Sequence, residues 1–130
     1  MTNISENKVS ELHKAVDELR SLEDNWDADG EAPRPTDDAI ARAHAVIDWA
    51  ESEDLIDIEI DVDPDAMGGV AVNMYGKQGQ NAWISCPNEG NDTVLLSVQK
   101  KSEVYPWDRA SKKLTMIYLF PERVPWQGCN

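Results

Sequence analysis

Residues 22–35 read Leu-Glu-Asp-Asn-Trp-Asp-Ala-Asp-Gly-Glu-Ala-Pro-Arg-Pro and lie between two helical patterns. In this stretch Trp26 lies among five carboxylates, and a glycine and two prolines follow it. Gly30 can adopt a positive φ at little cost, whereas Pro33 and Pro35 prevent a helix from starting before them. We therefore expect a structured loop that determines how the two flanking helices meet.

Apolar residues recur at spacings of three and four on both sides of this loop, which is the periodicity of an amphipathic helix. The first stripe consists of Val9, Leu12, Val16 and Leu19, and the second of Ile40, Ala43, Ile47 and Ala50. Thr36 is a suitable N-cap for the second helix, because its side chain can accept a hydrogen bond from the first turn. The sequence thus predicts helices at about residues 6–22 and 37–52.

From residue 55 onward the apolar pattern changes to strict alternation, which is typical of a half-buried strand. One side of this strand carries Ile56, Ile58, Ile60 and Val62, and the other carries Asp57, Glu59, Asp61 and Asp63. Further strands are predicted at about residues 69–75, 81–86, 93–99 and 114–120. The last of these is so apolar that we expect it inside the sheet or beneath a helix.

Short connections between the first four strands favour an antiparallel sheet, and helices that precede strands favour the α+β class. We expect one domain over residues 1–130, in which the two N-terminal helices pack on one face of about five strands. The basic segment 100–113 shows no clear periodicity and is left without an assigned element.

The chain is strongly acidic, with a net charge of −13 and a pI of about 4.3. Residues 1–66 contain 20 acidic and 5 basic side chains, whereas residues 67–130 contain 5 and 7. Direct binding to nucleic acid or to an anionic membrane is disfavoured, because both require lysine and arginine. The charge favours a basic protein partner, or simply high solubility.

Other functional signals in the sequence are weak. No segment has the form of a signal peptide or a membrane span, so we expect a cytoplasmic protein. Cys86 and Cys129 lack the spacing of a zinc site, and no motif of a serine hydrolase, zinc protease or nucleotide-binding protein is present. His13 and His44 are expected at helix surfaces or boundaries. We predict no enzymatic activity, no cofactor and no metal.

Two groups of acidic residues are the candidate partner-binding sites. The loop contributes Asp24, Asp27 and Asp29 with Trp26, and the first strand contributes Asp57, Glu59, Asp61 and Asp63. Carboxylates on one side of a strand are about 6.6 Å apart and resemble a short track of phosphates, which a protein would bind with lysine and arginine. The simpler interpretation is the ordinary polar side of an amphipathic strand.

The loop carboxylates also resemble the start of a calcium-binding loop at Asp27. That pattern requires glycine at its sixth position and glutamate at its twelfth, where this chain has Ala32 and Asp38. A metal-dependent enzyme that uses the loop carboxylates is therefore only a minor alternative.

The motif Leu22-x-x-Asn25-Trp26-Asp27-x-x-Gly30, followed by proline and an alanine-rich helix, resembles a group of small bacterial and phage proteins. Members carry a leucine, then Asn-Trp-Asp-Gly and a further glycine, and a Gly-Gly strand start similar to Gly68-Gly69 often follows. The resemblance covers about residues 19–75, with Ala28 where glycine is usual and Glu31 where alanine is usual. It implies a fold and a phage or mobile-element context, but no activity.

Together, these observations predict a non-enzymatic acidic protein that inhibits a basic, nucleic-acid-binding partner. The resemblance implies that this partner is a bacterial defence complex, which would make the protein an anti-CRISPR-like nucleic-acid mimic. An immunity or antitoxin protein that neutralises a cognate toxin is the alternative. The sequence specifies no oligomeric state.

Overall fold

The computed structural model describes residues 4–26, 30, 32–98 and 101–123. The helices in this part of the chain are α1 (Ile4–Glu18), α2 (Asp37–Ser52) and α3 (Arg109–Leu119). The strands are β1 (Glu59–Pro64), β2 (Gly69–Tyr75), β3 (Asn81–Pro87), β4 (Thr93–Val98) and β5 (Lys101–Pro106). Short 3-10 turns follow α1 at Leu19–Ser21 and α3 at Pro121–Arg123.

The strands form one antiparallel sheet in which their spatial order equals their order in the chain, β1-β2-β3-β4-β5. The α+β class and the antiparallel sheet are therefore confirmed. In this order β1 and β5 are the two edges of the sheet. The first strand begins later than predicted, because Ile56 and Asp57 lie in a turn before it.

One face of the sheet, which we call the inner face, is covered by helices. Its side chains share one apolar core with Val16 of α1 and with Ile40 and Ile47 of α2, all fully buried. Helix α2 begins as predicted, because the Thr36 side chain accepts a hydrogen bond of 3.1 Å from the Ala39 N–H. Both N-terminal helices thus pack on one face of the sheet, as the sequence predicted.

The predicted strand at 114–120 is wrong, since this segment belongs to α3. Asp108 and Ser111 form a reciprocal capping box at the start of that helix, with two hydrogen bonds of 2.9 Å. The residues that α3 buries, Ser111, Thr115 and Leu119, recur every four positions. The helices are therefore not all N-terminal, and the fifth strand is instead Lys101–Pro106, in the segment that had no assignment.

The turn from β1 to β2 depends on two glycines with positive φ angles, +104° at Gly68 and +118° at Gly69. A Cβ atom on Gly69 would lie 2.3 Å from the backbone oxygen of Cys86 on β3. The missing side chain lets this turn approach β3 closely, so the Gly-Gly pair has a steric reason.

Candidate partner-binding surface

Three of the predicted acidic residues lie together on the outer face of β1. Glu59, Asp61 and Asp63 are exposed, while Ile60 and Val62 alternate with them on the inner side. Consecutive same-side positions place the first and the third carboxylate about 13 Å apart along the strand. We call these three residues the acidic edge.

Within the described part of the chain, the acidic edge forms no ion pair. An aromatic residue of the neighbouring strand, Tyr75, lies opposite Glu59 in the register of β1 and β2. Burial raises the pKa of the Tyr75 hydroxyl, and the charges of Asp61, Asp63 and Glu59 raise it further. The negative potential of the acidic edge therefore extends onto the neighbouring strand.

Asp57, predicted to belong to the same row, is separated from it. Its carboxylate is 3.2 Å from the Lys77 ammonium and 3.7 Å from the Arg123 guanidinium. Two cations offset its charge, and it lies in the turn before β1 rather than on the strand. The sequence contains Lys77 and Arg123 but no local signal that they approach Asp57.

The loop before α2 is held together by hydrogen bonds to its own backbone groups, two of them from side chains. The indole of Trp26 donates to the Pro33 carbonyl at 3.1 Å, and the Asp24 carboxylate accepts from the Arg34 N–H at 3.0 Å. Asn25, at φ +65°, donates from its backbone N–H to the Ala32 carbonyl at 2.7 Å. These contacts give Trp26 and Asp24 a structural role in the loop. Asp27 and Asp29 lie outside the described residues.

Asn88, which the sequence analysis did not single out, fastens this loop to the sheet. Its side chain accepts from the Thr36 N–H at 2.7 Å and donates to the Arg34 carbonyl at 2.9 Å. Its backbone N–H donates to the Gly68 carbonyl at 3.1 Å. One asparagine thus connects the α2 loop, the β1–β2 turn and the end of β3.

The two histidines form a bridge between α1 and α2. Their Nδ1 atoms are 2.7 Å apart, and the rings are stacked with centroids 4.9 Å apart. The Nε2 atom of His13 lies 3.0 Å from Asp48, and that of His44 lies 2.8 Å from Asp17. Since a carboxylate can only accept, Nε2 is the donor in each of these two contacts with aspartate.

This bridge perturbs the carboxyl group at one of its ends. The hydrogen bond from His44 is the largest effect and lowers the pKa of Asp17 below its ordinary value of 3.8. Burial is the next-largest effect and opposes it, and the charges of His44 and Arg20 lower the pKa further. The expectation of surface or boundary histidines fits their half-buried positions, but their contact with each other was not visible in the sequence.

Other groups that could carry chemistry are few among the described residues. Burial raises the pKa of the Cys86 thiol to about 12, and the nearby Asp92 carboxylate adds to this, so the thiolate needed for nucleophilic attack is scarce at neutral pH. No group of three or more histidine, cysteine or acidic side chains in the described ranges could hold a metal ion.

Three of the seven basic residues in the segment 67–130 lie on α3, namely Arg109, Lys112 and Lys113. Lys112 is 5.6 Å from the ring centroid of Trp107, and Trp107 meets Trp49 edge to face at 4.8 Å. Arg109, Lys112 and Lys113 line one shallow groove together with Trp49. This cluster is on the helical side of the sheet, so it does not neutralise the acidic edge.

In the described part of the chain, no helix is both long and apolar enough to cross a membrane. Comparison of the chain with protein-family models, with curated proteins and with solved structures found no match.

Proposed function

We propose that this protein is a non-enzymatic binding protein that recognises a basic protein partner through the acidic edge of its sheet. The observation that supports this most directly is that Glu59, Asp61 and Asp63 are exposed on one side of an edge strand. No described cation pairs with them, so their charge is available to a partner. Like charges aligned on a strand destabilise the fold through mutual repulsion, and a binding role for the row would offset that cost.

The spacing of these carboxylates suits a surface that binds phosphates. Lysine and arginine side chains that contact a nucleic-acid backbone can make charge-assisted hydrogen bonds to carboxylates in a similar row. A protein bound in this way would occupy the nucleic-acid site of its partner and inhibit it. In the phage or mobile-element context that the loop motif suggests, the partner would be a bacterial defence complex.

The first test is affinity capture from host lysate at low and high salt, with the bound proteins identified by mass spectrometry. We expect a basic nucleic-acid-binding protein that is lost at high salt, because the screening length falls from about 10 Å at 0.1 M salt to about 3 Å at 1 M. Binding of the purified partner is then measured for a variant with Glu59→Lys, Asp61→Lys and Asp63→Lys.

The matched control carries Glu11→Lys, Glu18→Lys and Glu51→Lys, which are exposed acidic positions on the helical side. Each reversal changes the charge by two, so both variants move from −13 to −7. At about 1 kcal/mol for each lost contact, reversal of the acidic edge should weaken binding by roughly 100-fold, and the control far less. An equal loss in both variants would mean that net charge alone matters, and unchanged binding would refute the proposal.

A further inference from the structure

We infer that the outer face of the sheet is a docking face, with an apolar row beside the acidic edge. The apolar row consists of Trp83, Leu95 and Val104. Its occupant is a segment of a basic partner protein that presents apolar side chains next to lysine or arginine. This inference rests on the proposed function and specifies what the partner must look like.

The strand register places these residues in one line across the sheet. Asp61 lies opposite Asn73, Asn73 opposite Trp83, Trp83 opposite Leu95, and Leu95 opposite Val104. Because neighbouring strands are about 4.8 Å apart, the row from Trp83 to Val104 is about 10 Å long, and Asp61 lies about 10 Å on the other side of Trp83. The carboxylate of Asp61 and the apolar row therefore lie on one line across the outer face of the sheet.

These side chains are accessible although they are apolar. Trp83 is 40% exposed and Val104 is 64% exposed, and Leu95 between them is half-buried. The described helices all pack on the inner face, so among the described elements none covers this row. Adjacent exposed apolar side chains on an ordered sheet are typical of an interaction site, and tryptophan is enriched among the residues that dominate binding.

The charge of the acidic edge determines which kind of partner segment can bind to the apolar row. A segment that covers the apolar row also reaches the acidic edge, where only lysine or arginine can offset Glu59, Asp61 and Asp63. Nucleic acid is repelled by the same carboxylates. A second copy of this chain brings another net charge of −13 to the contact, so self-association is also disfavoured.

The test uses a helical peptide of about 15 residues that is made of leucine on one face and lysine on the other. Two control peptides replace all leucines by serine or all lysines by glutamate. Binding to the full chain is followed by NMR chemical shifts of backbone amides and indole N–H groups. We expect shifts centred on β1 to β5 at outer-face positions, and at least about fivefold weaker binding of each control peptide.

Two protein variants locate the contact, and a third variant is the control. Val104→Ser and Trp83→Ser should each weaken binding at least about fivefold. Val104 is so exposed that its replacement leaves the fold intact, which keeps the test valid if Trp83→Ser does not fold. Leu114→Ser is the matched control, since Leu114 is 39% exposed but lies on α3 on the other side of the sheet. It should leave binding unchanged.

Shifts centred on the loop at residues 22–36 or on α3 would overturn the inference, as would equal effects of Val104→Ser and Leu114→Ser. A concentration-dependent dimer that Val104→Ser abolishes would also overturn it, because a second copy would then be the occupant. If reversal of the acidic edge weakens binding but Trp83→Ser and Val104→Ser do not, the inference fails and the proposed function stands. If Trp83→Ser and Val104→Ser weaken binding but reversal of the acidic edge does not, the proposed function fails, because the partner then need not be basic.

Discussion

A single missing side chain decides how closely the β1–β2 turn approaches β3. Gly69 is next to the backbone of Cys86 and Pro87, and its φ of +118° is one that residues with a Cβ rarely adopt. In the sequence the Gly-Gly pair was noted as the start of a strand. Its steric requirement was not, because the close approach involves a strand that lies seventeen positions further along the chain.

We expect Gly69→Ala to lower the free energy of unfolding by more than about 3 kcal/mol, since the new Cβ combines a strained φ with a backbone clash. Gly90 is the matched control, because its φ is +99° but nothing lies within 4 Å of the position of its Cβ. Gly90→Ala should therefore cost only the φ strain of about 1–2 kcal/mol. Urea denaturation of the two variants measures the difference, and equal costs would show that the turn can move away from β3.

At the scale of the elements, the sequence was informative where signals are local. Helix α2 was predicted within its observed bounds, because Thr36 and the apolar stripe lie in one continuous segment. Helix α3 was missed, because seven consecutive residues from Leu114 are mostly apolar and its exposed side includes Leu114 and Ile117. The capping pair Asp108 and Ser111 and the four-residue spacing that follows were the signals that could have identified it.

The contact between α1 and α2 should depend on pH through Asp17. Because the pKa of Asp17 is lowered in the folded protein, its contribution to stability is complete above the ordinary value of 3.8 and is lost as the pH falls through the lower folded value. We expect Asp17→Asn to be less stable than the unmodified protein at neutral pH, and the two to converge in acid. Thermal melts over this pH range test the expectation.

Glu11→Gln is the control for this comparison, since Glu11 lies on the same helix and is exposed. Its melting temperature should follow that of the unmodified protein at every pH. A constant difference between Asp17→Asn and the unmodified protein, down to the most acidic pH, would show that the bond to His44 does not depend on the carboxylate charge.

At the scale of the whole molecule, the sequence predicted an acidic face but not its extent. Alternation along β1 was enough to place Glu59, Asp61 and Asp63 on one side, because strand geometry is local. The partners of Asp57 and Asp24 could not be predicted, because they come from distant or irregular segments. Asp57 pairs with Lys77 and Arg123, and Asp24 accepts from the Arg34 N–H. On β1 the exposed carboxylates without a described cation are Glu59, Asp61 and Asp63. The apolar row lies on the same face of the sheet, and only the strand register reveals it.

The uneven charge should also appear in the response of stability to salt. We expect the melting temperature to rise with added salt, since screening relieves repulsion within a chain of net charge −13. A variant with Glu59→Gln, Asp61→Asn and Asp63→Asn should gain about 1 kcal/mol at low salt, or roughly 4 °C, and should respond less to salt. Glu11→Gln, Glu18→Gln and Glu51→Gln together provide the control, and an equal gain there would argue against repulsion along β1.

The order of the strands has a consequence for the protein as it is synthesised. Each strand pairs with the one that precedes it in the chain, so every new strand meets its partner as soon as it leaves the ribosome. The helices α1 and α2 are made before the strands of this sheet, so their apolar stripes stay uncovered until the strands have been made. During that interval the 20 acidic residues of the first half repel other nascent chains, so the charge of the proposed binding surface also protects the unfinished protein.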